Sequence, residues 1–287
     1  MKKQLLTSIL LAGTLILTAC GNEKTESTNK KENQSATETK KSVDLSKETD
    51  AYKAFTVDQI DHFVKDTEKF VTAFKSGKIE EAKKIYPKAR MYFERSEPVA
   101  ESFGDLDPRI DARLADMKAE GKEKEWSGYH KLEKALWVEN KTEGYEKVAD
   151  QLLKDAKELR AKVDTAEVTP KLMLQGSIDL LNEVSTSKIT GEEEIFSHTD
   201  LYDFKANIEG AEKIFTLFES KIKQKDEKLA KNIQSKFDTV NNLLKKHETG
   251  NGDYVSYEKL TKEDTKKLST AVDQLGEPLS QMAIILE

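Results

Sequence analysis

The run Gly128-Tyr129-His130-Lys131-Leu132-Glu133-Lys134-Ala135-Leu136-Trp137 sets a histidine three positions before a glutamate in a stretch of helical character. Residues three apart are neighbours on a helix surface. An imidazole nitrogen and a carboxylate can therefore be aimed at one point, a potential half of a metal site. Upstream, Glu94, Glu97 and Glu101 follow the i, i+3, i+7 spacing of a single helix face. Bringing the two helices together would gather carboxylates around one imidazole. Carboxylates are hard ligands suited to highly charged cations, and an imidazole also admits iron, zinc or copper.

Each feature has a plainer reading. In a chain with 35% charged residues, acidic faces arise as solvated surfaces, and Arg90–Glu94 has the spacing of a surface ion pair. A buried histidine is often a structural hydrogen-bonder. Histidine is scarce, however: His62, His130, His198 and His247 are the four in the chain. Of these, His62 and His247 lie in lysine- and glutamate-rich segments and read as solvated. The pattern is not His-Glu-x-x-His, the two-histidine face of many zinc peptidases. A second informative segment, Lys188 to Phe204, is acidic through Glu192-Glu193-Glu194 and carries aromatics every few residues. Ligands often come from such loops, although acids also collect at helix N-termini.

These residues sit in an exported chain. Met1-Lys2-Lys3 is basic, Leu5 to Leu17 is mostly apolar, and Leu17-Thr18-Ala19-Cys20 follows. The apolar stretch is shorter than the ~20 residues of a membrane span. The layout is that of a secretory signal whose cysteine at the cut resembles a lipobox, so residues 1–20 are expected to be a lipoprotein signal with Cys20 lipidated. The alternative is an uncleaved anchor. Either places the protein on the outer face of the cytoplasmic membrane. Cys20 is the single cysteine, so no internal disulfide and no second thiolate ligand are available. Residues 21–50 have few aliphatic side chains and are expected to be a disordered tether.

The rest, residues 51–287, reads as helices. Thr56-x-x-Gln59 has the form of a capping box before the period of Ile60, Phe63, Val64, Phe70, Val71 and Phe74. A second helix is expected from Lys78 to Phe103, kinked or broken at Pro98. Others follow from Asp107, from Trp126 to Val138, from Tyr145 to Val163, from Pro170, from Asp203 to Ile222, from Glu227 to Lys246, and from Thr261 to Leu286. Thr249 to Asp253 is a turn, and no strand is expected. Roughly nine helices with short links predict an all-α fold of antiparallel four-helix-type bundles, with possible halves 51–165 and 166–287. The net charge is −6 with signs interleaved. No basic patch with aromatics and no phosphate loop is present, so no nucleic-acid partner is expected.

His130 to Trp137 resembles the signature of imelysin-like proteins. More closely, the chain is similar to the EfeO/EfeM-type lipoproteins of bacterial iron uptake. The similarity runs also through Ala89 to Glu101, Gly191 to Gly210, and Tyr257 to Ser280 with Leu275-Gly276-Glu277-Pro278-Leu279. The resemblance implies two helical bundles with a metal site in the cleft between them. It implies the ligands His130, Glu133, Glu94, Glu97 and Asp111, with one carboxylate of Glu192 to Glu194, taken as Glu193 with the other two open. The cargo would be iron, ferric or ferrous, with zinc or copper possible in its place. The partners would be a membrane iron permease and a haem-dependent peroxidase. The N-terminal cupredoxin domain of some members is not expected here, and neither is a copper-dependent oxidation step ascribed to it.

The expected function is thus non-enzymatic iron capture by a lipid-anchored protein that delivers the ion to a permease. A zinc metallopeptidase, with Glu97 or Glu101 as base, is the alternative; an adhesive or structural helical surface protein is a third. A carboxylate-built site predicts metal affinity that falls between neutral pH and about pH 5.

Overall fold

The computed structural model describes residues 43–286. The signal, Cys20 and nearly all of the tether lie outside the described residues, as do Glu287 and the Glu101 side chain. Helix α1 runs from Ser46 to Lys75. It begins before Thr56 and takes in the last residues read as tether, because Leu45 and Tyr52 bury against the core. Thr56 is consequently no cap: its hydroxyl donates to the Tyr52 carbonyl at 3.1 Å, inside the helix.

Helix α2 spans Ile79–Glu94 and stops there. A separate 3-10 turn, Glu97–Phe103, carries Pro98 near its start. Proline lacks the N–H that would continue the α2 ladder, and it disfavours the α conformation of the residue before it. The expected continuous acidic stripe therefore does not form: Glu94 closes α2, and Glu97 opens a new turn. The helix read from Asp107 is two short ones, α3 Leu106–Asp111 and α4 Leu114–Ala119. Helix α5 is Tyr129–Trp137 and α6 is Glu146–Val163.

Thr169 caps α7, Pro170–Thr186, by accepting from the Leu172 N–H at 3.1 Å. A 3-10 turn, Lys188–Thr190, and a run of turns lead to α8, Asp200–Lys225. Asp226 caps α9, Glu227–Lys245. The turn at Thr249–Asp253 is a small hairpin, β1 Glu248–Gly250 with β2 Asp253–Tyr254, which corrects the expectation of no strand. Thr261 and Asp264 cap α10, Lys262–Leu286, reciprocally: the Thr261 N–H donates to Asp264 at 3.0 Å and the Asp264 N–H to the Thr261 hydroxyl at 3.2 Å.

The all-α expectation is met, with the helices in two packing groups. Helix α1 lies on α2 and α6, and α5 joins α2 and α6; α7, α8, α9 and α10 pack on one another. Helix α8 also packs on α2, and this seam carries the polar residues described next.

Candidate metal centre

Three chain segments converge on His130. The first is the end of α3, which supplies Asp111. Gly128, with φ of +82°, lies so close to the Ile110 carbonyl that a Cβ could not fit between them. Only glycine allows the start of α5 to approach Asp111 in this way. The second segment is the C-terminal half of α2, with Arg90 and Glu94. Gly210 performs the same service against the Arg95 carbonyl, drawing α8 with Asp203 and Asn207 onto it. The third is the turn region around Glu193 and Glu194, ahead of α8.

His130 is buried, and its two nitrogens face different surroundings. Nδ1 stands 3.2 Å from Glu133 Oε2 and 3.9 Å from Glu194 Oε1. Nε2 lies 3.6 Å from Asp111 Oδ1 and has no hydrogen-bond partner. Glu133 is fully buried, and its Oε1 accepts the N–H groups of Phe196 and Ser197 at 3.0 and 2.7 Å. In this structure the two residues of the His-x-x-Glu pair thus face each other. Glu133 is positioned to fix Nδ1–H and leave the Nε2 lone pair for another partner. Asp111, His130 and Glu193 each offer a ligand atom within 4.8 Å of the others, as do His130, Glu133 and Glu194, and Glu94, Glu97 and Asp111. Such spacings suit an ion with bonds of roughly 2 Å after slight contraction.

The Glu192–Glu194 run divides by burial. Glu192 is exposed and pairs with Arg113 at 3.0 Å. Glu193 is buried at a cleft of about 660 Å³ lined also by Asp111, Glu97 and Lys188. Glu194 is deeper, where its carboxylate accepts from Tyr86 and Ser197 at 3.2 and 2.7 Å.

Arg90 corrects the reading of Arg90–Glu94 as a surface pair. Its guanidinium is 1% exposed and donates to Glu94 at 2.6 Å, to Asp203 at 3.0 Å and to Asp111. It also stands 2.7 Å from Glu194. Lys188, equally unforeseen, is buried with its ammonium 3.1 Å from Glu94 Oε2 and 3.5 Å from Glu193 Oε1. Asn207 donates to Glu94 Oε2 at 2.9 Å. A sequence signal existed for Arg90, which lies among Ala89, Met91, Tyr92 and Phe93, and for Asp203 and Asn207, an i, i+4 pair among apolar residues of α8. Lys188 had none.

The electrostatics follow from burial. Burial pushes the Glu97 carboxyl well above its usual range, opposed by Lys188 and reinforced by Glu94, Asp107 and Asp111. Burial and the Asp111 and Glu94 charges bring Asp107, at the same cleft, to about 7. Burial and the Arg90 charge push His130 down, but Asp111 and Glu133 outweigh them, so its pKa is raised. Glu193 is the opposite case: burial pushes it up, and Lys188, His130, Arg90 and Arg113 together bring it to about 2. The site is therefore an anionic pocket in which protons and the protein's own cations stand close to the carboxylates. His130 Nε2 and the Asp111 carboxylate that faces it are among the atoms there that could hold a cation.

The imelysin family model matches residues 48–282. Over 290 aligned positions the chain is 59% identical to an Efem/EfeO family lipoprotein of Staphylococcus haemolyticus, covering 100% of both sequences. It is 63% identical over 246 residues to a protein of the same name from Staphylococcus aureus, covering 85% of this chain and 87% of that one. Its backbone is similar, at a TM-score of 0.66 and 14% identity, to the crystal structure of a protein described as an iron-regulated protein A precursor from Parabacteroides distasonis. That match covers 87% of this chain and 97% of the other, and its likeness is one of fold.

Proposed function

This chain belongs to the imelysin family and to the Efem/EfeO lipoproteins, and from that premise we propose that it captures iron outside the cytoplasmic membrane and delivers it to a membrane permease. Cys20 would carry the lipid that holds it there. Among the described residues no helix is long and apolar enough to cross a membrane, which is compatible with that anchor. A haem-dependent peroxidase of the same uptake system would be the further partner. Sharing one membrane surface with the permease raises the effective concentration for hand-over.

The observation that carries the reading is the buried, unpartnered Nε2 of His130, faced by Asp111 at the mouth of an acidic cleft. A buried nitrogen without a partner is costly, and a cation is the ligand that both it and the carboxylates would accept. In this reading His130 Nε2, Asp111 and Glu193 take the ion, with Glu94 and Glu97 completing its oxygen shell. Glu133 holds Nδ1–H and so keeps the lone pair on Nε2. Several carboxylates around one imidazole can balance a trivalent charge. Zinc or copper would also bind such a set.

The test is calorimetric. Full-length protein in detergent, stripped of metal, is titrated with ferric citrate, ferrous iron and zinc beside His130→Ala. Iron affinity should fall by at least about 100-fold in the variant, the upper end of what outer-sphere changes cost. Equal binding in both proteins would reduce the acidic cleft to a non-specific cation trap.

The family's model also carries a peptidase designation. A hydrolytic zinc needs an open coordination position and a base beside it; Glu97, which lines the cleft, or Glu101 would serve as that base in this reading. Chelator-sensitive cleavage of an unfolded protein substrate would favour this second reading. Its absence in zinc-loaded protein would remove it.

A further inference from the structure

Two cations of the protein's own already sit on the carboxylates of the site, and they are held in different ways. Arg90 is anchored on all sides. It pairs with Glu94, Asp111, Glu194 and Asp203, and its guanidinium lies 5.8 Å from the ring centres of both Tyr86 and Tyr129. Lys188 stands on the three-residue turn Lys188–Thr190, between α7 and the acidic turns. Its ammonium bridges Glu94 and Glu193, and it lines the same cleft as Glu97 and Asp111. A lysine is a compact point charge on a flexible four-carbon stem, whereas an arginine fork on four carboxylates is fixed by its geometry.

We infer that Lys188 is the displaceable counter-ion of the site. It bridges Glu94 and Glu193 while no metal is bound, and it swings into the cleft when a divalent or trivalent cation takes those two carboxylates. The inference rests on the iron-binding reading above. Its physical basis is that an ammonium and a metal ion cannot share the same pair of oxygens in a desolvated pocket, where like charges repel strongly. Arg113, 3.3 Å from the other oxygen of Glu193, is partly exposed and can stay where it is.

Three properties follow. The empty pocket is spared the repulsion of two neighbouring carboxylates. Sodium and potassium, which carry no more charge than the ammonium they would displace, gain little by entering. Release is assisted, because the returning ammonium takes back the carboxylates as the ion leaves. Lys188 is in this sense a specificity-determining and release residue rather than a ligand.

The test uses full-length protein in detergent, with zinc as a redox-silent probe and ferric citrate beside it. Wild type, Lys188→Met and Lys188→Gln are compared for Kd, for the rate of metal loss to a chelator, and for melting with and without metal. Both variants should bind zinc at least about tenfold more tightly and lose it correspondingly more slowly. Without metal they should melt below wild type, and loaded with metal they should match it. If Lys188→Met folds only when zinc is added, that too supports displacement. Unchanged or weaker binding in both variants would overturn the inference, making Lys188 a fixed strut for Glu94 and Glu193. If wild type and both variants bind neither zinc nor ferric citrate, the iron-binding reading itself fails, which is a different result.

Discussion

Two regions of the molecule solve burial differently. In α9 and α10 the interior is apolar: Leu229, Ile233, Phe237, Val240, Val272, Leu275 and Met282 are buried, and beyond Asn207 no buried polar or charged residue occurs among the described residues. Where α2, α5 and the start of α8 meet, the interior holds Arg90, Glu94, His130, Glu133, Asp203 and Asn207. Apolar surface is stabilised simply by leaving water, at about 25 cal/mol per Å². Buried charges gain nothing from that; they persist only where each has partners, and a hydrophobic substitute is often as stable. The polar half thus carries a cost in stability that the apolar half does not, and sites of that kind are where function is expected.

The sharpest way to break the contrast is a pair of substitutions. Arg90→Met leaves four carboxylates facing one another and should destabilise the empty protein by about 3–5 kcal/mol. Phe237→Ala opens a cavity between α8 and α9 and should cost a similar amount, about 3–5 kcal/mol. Urea unfolding would report the two losses as alike. Metal would tell them apart: a bound cation stabilises every variant that keeps the site, but it narrows the gap to wild type only for Arg90→Met. Equal rescue of both, or of neither, would show that the two halves do not differ as described.

A subtler change sharpens the role of Glu133. Glu133→Gln keeps an oxygen for the Phe196 and Ser197 N–H groups but turns an amide NH2 toward Nδ1. The imidazole would then carry its proton on Nε2, where the metal should bind. Affinity should drop by about 10–100-fold, with little change in melting temperature. A variant that binds as well as wild type would mean that the tautomer is set elsewhere.

The last difference lies in the response to pH. Asp107 at about 7, Glu97 above its usual range and His130 above its own all hold protons in mildly acid solution. A metal requires the deprotonated carboxylates and the free Nε2, so protons compete with it. Affinity should fall as pH is lowered through about 7, by about tenfold per unit for each proton displaced. Zinc titrations from pH 8 to about pH 5 would show the slope. In α9 and α10, Phe237→Ala should leave that slope unchanged.

Much of this was legible in the chain. The periods of Ile60 to Phe74 and of Tyr145 to Val163, the Thr169-Pro170 start and the Thr261-x-x-Asp264 box each depend on residues within a few positions, and each appears as a helix or its cap. Where the reading failed locally, a single competing bond was the cause. Thr56 bonds back into its own helix, and α2 stops short of Pro98, so that Glu94 and Glu97 stand on different elements although their carboxylates stay close. The His-x-x-Glu spacing was correct as a neighbour relation, but spacing does not say which nitrogen meets the carboxylate.

The sequence by itself determined most of the helices, the single histidine of the candidate site and the acidic runs near it, because period and spacing are properties of short segments. The tertiary structure decided the rest. It buried Arg90 among carboxylates as distant in the chain as Asp203, set Lys188 between Glu94 and Glu193, and separated Glu193 at the cleft from Glu194 in the interior. Those outcomes depend on which helix faces meet. That is fixed by the packing of the whole apolar core, and by glycines such as Gly128 that let two backbones touch.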